Sequence, residues 1–351
     1  MKWSEFFRII PAGDLKSAYL FTGAEDWLKQ DALKRLRAAL LPAGLEELND
    51  TVLENVPFGQ IADAAATVPF MCDKRIVTVM DWAPLLAARS ANEDEECERL
   101  KQWLIAPPAG AVVVFYMRTK ADARKKAARL ITDLGDAVQF DPLEGSALNR
   151  WIGEQLKPQR KQMNPAAADE MVLRVGSDLT RISTELDKLC AYVGERAEIG
   201  ADDVQAIVTP SLDYNVFELT AALLSGRMAE AETRAATMID NGSKPLRILA
   251  VLIYQIRQLT HMRLGLDARQ PRETIAALLG LKPFQTRQIS QQCRSLSGDA
   301  FRDLYVRLVD LDYGVKTGKI SETFALDRAM FEIAAQSQQI NATKRGAAAS
   351  K

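Results

Sequence analysis

At 351 residues, 48% apolar and 26% charged, the chain has material for two or three globular domains. Its net charge of -1 argues against a protein that coats nucleic acid by bulk attraction, and no apolar run approaches the length that crosses a bilayer. Cys72, Cys97, Cys190 and Cys293 are too scattered for a zinc site or a disulfide framework, and His261, the single histidine, has no visible partner for general-base chemistry.

The opening run Phe6-Phe7-Arg8-Ile9-Ile10-Pro11 is short and lacks a cleavage pattern, so secretion is not expected and a cytoplasmic protein is. From there to residue 140, short apolar runs alternate with helical patterns. Strands are predicted at 18–21, 51–53, 76–80, 112–116 and 137–140. They are β-branched or aromatic and bounded by Gly, Pro or Asp, as buried parallel strands are. Helices are predicted between them at 26–40, 95–104 and 120–134, the last with Ala127, Leu130 and Leu134 inward and Lys120, Arg124, Lys125 and Lys126 outward. Such alternation predicts a mostly parallel α/β sheet.

After Asp141-Pro142 the strands stop. Amphipathic helices are predicted at 146–156, 166–175, 178–193 and 201–208, with Trp151 in the core of this small helical domain. Thr209-Pro210-Ser211 forms the next seam. Beyond it the pattern is helical throughout, at 214–225, 228–240, 244–264, 272–279, 284–294, 299–316 and 320–337, and the tail 339–351 has no apolar period. The expected domains are therefore 1–141 (α/β), 142–211 (small helical), 212–338 (larger helical) and an unstructured tail. Residues 212–351 carry 19 Lys/Arg against 14 Asp/Glu, and residues 1–211 carry 26 against 32. That bias permits nucleic-acid contact in the C-terminal part without requiring it.

An α/β domain followed by a helical lid is how AAA+ ATPases are built, and those need a phosphate loop ending in Gly-Lys-[Ser/Thr]. Here the first strand runs into Thr22-Gly23-Ala24-Glu25-Asp26-Trp27. Gly23 remains, but Glu25 and Asp26 stand where phosphate charge would sit and repel it, by about a kcal/mol each even at high dielectric. At a helix N-terminus the same carboxylates are stabilising, as caps of free N–H groups. The third strand ends in Met80-Asp81, a single acid. No catalytic residue and no metal site is expected.

Several segments together resemble the delta subunit family of bacterial DNA polymerase III. They are Tyr19 to Leu28, Thr67-Val68-Pro69-Phe70-Met71-Cys72-Asp73-Lys74-Arg75 with the strand after it, Trp151-Ile152, Gly176-Ser177-Asp178-Leu179 with Glu185 to Leu189, Val216-Phe217-Glu218-Leu219, and Asp310 to Gly318. The similarity runs from about residue 18 to residue 337 and rests on the order and spacing of these segments. Met71 departs from it, standing where a second aromatic is common, and the acidic run Glu93-Asp94-Glu95-Glu96 reads as a local feature.

The resemblance implies a degenerate AAA+-like module, a lid, and a collar that joins a five-subunit ring. It implies a non-catalytic subunit of a DNA-directed DNA polymerase (nucleotidyltransferase) holoenzyme, with no cofactor. Its partners would be the beta sliding clamp, the tau/gamma loader ATPase, the delta-prime subunit and primed DNA, with no membrane. The family's clamp-contacting wedge falls on Phe70 and Met71, with Pro69 shaping the turn. The residues alone allow another role, in which Phe70 closes the core beneath the third strand. Candidate DNA contacts are Lys120, Arg124, Lys125 and Lys126, with Tyr313, Lys316 and Lys319 in the collar, where Tyr313 could stack on an unpaired base. For each, an ordinary solvated helix face is the plainer alternative. The competing functions are an active AAA+ ATPase, excluded or supported by a nucleotide-binding assay, and a helical adaptor unrelated to replication, distinguished by co-purification with the clamp.

Overall fold

A computed structural model describes residues 1–88, 92–281 and 283–349. The chain divides into two compact units, Met1–Trp151 and Ile152–Lys351.

The first unit contains, in order, α1 (Trp3–Ala12), β1 (Ala18–Thr22), α2 (Asp26–Leu40), α3 (Glu46–Asn49), β2 (Asp50–Glu54), α4 (Phe58–Ala66), β3 (Arg75–Met80), α5 (Glu93–Ile105), β4 (Ala111–Tyr116), α6 (Lys126–Leu134) and β5 (Asp136–Gln139). Helix α7 (Gly145–Leu156) begins in this unit. The five strands form one parallel sheet in the order β2-β3-β4-β1-β5, the AAA+-like arrangement the sequence suggests.

Every residue of β1 and of β4 is buried, because helices cover both faces and the strands have no solvated side. On one face Leu20, Val77, Val79, Val113 and Phe115 pack with Phe58 and Ile61 of α4, Leu100 of α5 and Ile131 of α6. On the other, Tyr19 and Phe21 meet Phe6 of α1 edge-on, at 4.9 and 5.2 Å between ring centroids. The period of two along β1 thus sends neighbouring residues into different layers. Strand β2 differs from the expectation of a buried strand. It lies at the sheet edge, and Val52 is exposed.

The second unit opens with β6 (Gln162–Met163), α8 (Pro165–Val175), α9 (Leu179–Val193), β7 (Glu198–Ile199) and α10 (Ala201–Ile207), in which β6 and β7 pair in parallel. Asn164 and Asp178 cap α8 and α9, each side chain accepting a backbone N–H three residues on. Then follow α11 (Leu212–Leu224), α12 (Met228–Asp240), α13 (Pro245–Asp267), α14 (Arg272–Leu278), α15 (Pro283–Gln292), α16 (Gly298–Lys316) and α17 (Glu322–Ala349). The central helix α13 buries Leu249, Leu252, Ile256 and Leu259 in a core shared with Phe301, Leu304 and Leu308 of α16 and Leu326 and Ile333 of α17.

Several expectations shift. Helix α6 begins only at Lys126, because residues 120–125 form a turn in which Lys125 N–H bonds to Asp122 O and Asp122 N–H to Leu85 O. Leu134 is consequently exposed and Ile131 takes the core position. The run 93–96 is the first turn of α5, where four carboxylates offset the helix dipole. Helix α1 has no counterpart among the predicted helices. Trp151 is buried, but in the first unit, edge-on to Trp27 at 4.9 Å. Helix α17 continues through Ala349, past the start of the tail expected to be unstructured, and ends in three alanines that favour helix. Ser350 and Lys351 lie outside the described residues.

Candidate functional site

The connection from β1 to α2 is only three residues, Gly23 to Glu25. Gly23 has φ +121°, and a Cβ there would stand 2.1 Å from the carbonyl oxygen of Phe140. The same carbonyl accepts the N–H of Glu25 at 3.0 Å. Glycine is required because the backbone after β5 runs directly against the turn. A phosphate-wrapping loop needs more residues and an open concavity.

Asp26, the first residue of α2, accepts the Tyr116 hydroxyl at 2.7 Å and Gln30 Nε2 at 2.7 Å, and lies 3.3 Å from Lys29 Nζ. Lys29 is wholly buried and donates to the carbonyls of Met117 and Arg118 at 2.6 and 3.2 Å. Burial raises the Asp26 pKa, but the Tyr116 hydroxyl, Lys29 and Gln30 outweigh it and hold the group below its ordinary 3.8. Burial, and then the hydrogen bond to Asp26, raises the Tyr116 phenol. The expected capping is therefore replaced. Glu25 occupies the N-cap with no side-chain cap bond, and Asp26 points to the end of β4. Asp81, after β3, accepts the Arg118 N–H at 2.8 Å and its guanidinium at 2.9 Å, and Arg118 also reaches Glu54 at 2.8 Å. A cleft of about 310 Å³ lined by Asp26, Gln30, Leu33, Met80, Tyr116 and Arg118 lies here, at the carboxyl ends of the strands where α/β folds bind ligands. Its two charged lining residues each have a partner within the chain, Asp26 in Lys29 and Arg118 in Glu54 and Asp81.

The second feature is the loop between α4 and β3. Val68, Phe70 and Met71 are 83%, 51% and 76% exposed, so Phe70 does not close the core beneath β3. The loop is nevertheless firmly held. Asn49, wholly buried at the end of α3, accepts the Phe70 N–H through Oδ1 at 2.6 Å and donates Nδ2 to the Phe70 carbonyl at 3.0 Å. Arg75, also buried, donates to the Thr67 carbonyl at 3.1 Å and to Thr51 Oγ1 at 3.0 Å, placing a cation at the end of α4. Pro69 packs over Gly110, where a Cβ would stand 3.0 Å from Pro69 Cγ. Met71 sits at φ +53°, a left-handed conformation unusual for a side-chain-bearing residue. The result is an apolar tip presented outward on a fixed backbone.

The basic candidates separate. Lys125 does not face outward: it is 16% exposed, paired with Glu93 at 2.9 Å and bonded to the Ala88 carbonyl, because the turn before α6 swings it inward. Arg124 is exposed but bound to Asp122 at 2.9 Å, which draws the Asp122 carboxyl down to about 2. Lys120 and Lys126 are exposed with no ion-pair partner among the described residues. In the second unit Tyr313 is exposed, Lys319 Nζ lies 5.8 Å over its ring, and Lys316 pairs with Asp312 at 2.6 Å. Sequence reading missed Asn49, Lys29 and Tyr116. A wholly apolar strand ending in tyrosine beside an acid-led helix was the one signal, and it is weak. Among the described residues no His/Cys/Asp/Glu group could hold a metal, and no helix is long and apolar enough to cross a membrane.

The fold is thus a parallel α/β unit with an AAA+-like strand order, followed in the chain by a helical unit, and in it the turn from β1 to α2 packs against the backbone of Phe140. Sequence models of the DNA polymerase III delta subunit match residues 19–140, and of that subunit's C-terminal domain residues 213–333. The chain is 25% identical over 333 residues to the DNA polymerase III subunit delta of Bacillus subtilis (strain 168), covering 94% of this chain and 96% of that one. The solved Bacillus subtilis DNA clamp loader delta protein (YqeN) has the same fold, with a TM-score of 0.71 at 24% identity over 95% of this chain and 99% of that one. The chain belongs to the DNA polymerase III delta subunit family.

Proposed function

We propose that the protein acts in a clamp loader, where it grips the beta sliding clamp, stabilises its opened form and helps seat it on primed DNA, without hydrolysing ATP itself. The observation that carries this reading is the apolar tip Val68, Phe70 and Met71, displayed to solvent on a loop held by buried polar groups. An aromatic beside an adaptable methionine is a good anchor pair for an apolar pocket. Full burial of each side chain contributes about 1.5–3 kcal/mol. A fixed backbone keeps the ordering cost of binding low.

The mechanism is differential affinity. A partner that binds the open ring better than the closed one shifts the ring towards opening by no more than that difference. The ATP-driven steps fall to the tau/gamma subunits, with delta-prime completing the ring. Residues 142–211 would form the lid and 212–338 the collar that joins it, all in the cytoplasm. The three-residue turn at Gly23 and the Asp26, Lys29 and Tyr116 network support the absence of ATP turnover. Lys120 and Lys126, and Tyr313 in the collar, are the groups most open to DNA.

Size-exclusion chromatography of the purified chain mixed with purified clamp tests the reading. Co-elution of the wild type and separate elution of a folded Phe70→Ala/Met71→Ala variant are expected. Co-elution of both would remove the wedge assignment.

A further inference from the structure

The tip's geometry depends on a residue that never reaches its surface. We infer that Asn49 is a positioning residue for the tip, setting Phe70 and Met71 in the conformation that engages the partner; the inference rests on the reading of this loop as the clamp-binding element.

The side chain of Asn49 is 0% exposed, and its amide is fully engaged with backbone. Its oxygen accepts the Phe70 N–H, and its nitrogen donates to the Phe70 carbonyl and to the Leu45 carbonyl at 3.2 Å. A primary amide facing one residue's N–H and C=O imitates the pairing of an adjacent β-strand, fixing the peptide planes on both sides of Phe70 without a strand being present. The next residue, Met71, holds a left-handed backbone, a state that persists only where surrounding contacts determine it. Asn49 supplies that contact at the residue immediately before Met71, and the Thr67 carbonyl held by Arg75 anchors the start of the loop.

No other common side chain reproduces this. Asn49→Asp would keep the acceptor for the Phe70 N–H but set a buried carboxylate against the Phe70 and Leu45 carbonyls. Asn49→Ala leaves one donor and two acceptors without their partner. In either case the tip loses its defined conformation, while Phe70 and Met71 themselves remain.

Calorimetric titration of purified clamp into wild type, Asn49→Ala, Phe70→Ala and the Asn49→Ala/Phe70→Ala double variant tests this. Asn49→Ala is expected to weaken binding roughly tenfold, about 1.4 kcal/mol. The double variant should lose clearly less affinity than the sum of the two single losses, because Asn49 acts in part through the Phe70 side chain. A merely structural role would give additive losses. Wild-type affinity in Asn49→Ala, or additivity with Phe70→Ala, overturns the inference while leaving the wedge reading intact. A silent Phe70→Ala removes both. Should Asn49→Ala not fold, amide hydrogen exchange of the free wild-type chain decides the matter. The Phe70 amide is expected to exchange at least tenfold more slowly than those of Val68 and Met71, and equal rates overturn the inference.

Discussion

Lys29 Nζ lies 3.3 Å from the carboxylate of Asp26, and both residues belong to the first turn of α2. The ammonium is wholly buried and bonded to two backbone carbonyls. Removing one partner leaves a buried charge uncompensated, a loss typically of about 3–5 kcal/mol for a buried pair. The exposed half of Asp26 places this pair at the low end. Lys29→Met, which keeps the volume, is expected to lower the urea midpoint less than Lys29→Ala does.

The acid side of the stability profile follows from Asp26. Its folded pKa lies below 3.8, so its contribution is fully present above the unfolded value and is lost as pH falls through the folded one. Chemical denaturation at pH 6 and pH 3 should show a smaller drop for Asp26→Asn than for wild type. An identical drop would mean that Asp26 is not held by Tyr116 and Lys29.

Gly23→Ala combines a positive φ with a Cβ 2.1 Å from the Phe140 carbonyl oxygen. Strain and overpacking together should destabilise the fold by about 3 kcal/mol or more, read as a fall in the urea midpoint. Gly13→Ala, at the left-handed C-cap of α1 with φ +74° and nothing within 4 Å, has backbone strain without overpacking and should cost only about 1 kcal/mol.

Loader assembled with Lys120→Glu/Lys126→Glu should bind primed DNA more weakly and with a shallower salt dependence. Arg124→Gln and Lys125→Gln should change it little, since both cations are already paired within the chain. A fluorescence titration at two salt concentrations separates the cases.

The parts legible in the sequence are those set by short-range pattern. Strands β1, β3 and β4 are runs of β-branched and aromatic residues that suit only a sheet covered on both faces, and Gly23-Ala24-Glu25-Asp26 lacks the lysine of a phosphate loop whatever its neighbours. The exposure of Phe70 was not legible, because an apolar pair after a proline serves equally as core or as tip. Asn49 was hidden for a different reason: its partner is 21 residues away in sequence, and a lone asparagine before a strand carries no local signature. The inward turn of Lys125 was hidden as well. Its backbone N–H closes a turn onto Asp122 just before α6 begins, so the side chain does not follow the helical period that would place it outside.

The central claim is that this chain holds the clamp through its own apolar tip, unaided by nucleotide. Titrating purified clamp into the chain in nucleotide-free, magnesium-free buffer addresses it most directly. Saturable binding by wild type, weakened on the order of a hundredfold in Phe70→Ala/Met71→Ala with unchanged thermal unfolding, is the predicted result. Binding that appears only when ATP and magnesium are added, or that survives the double substitution undiminished, would contradict it.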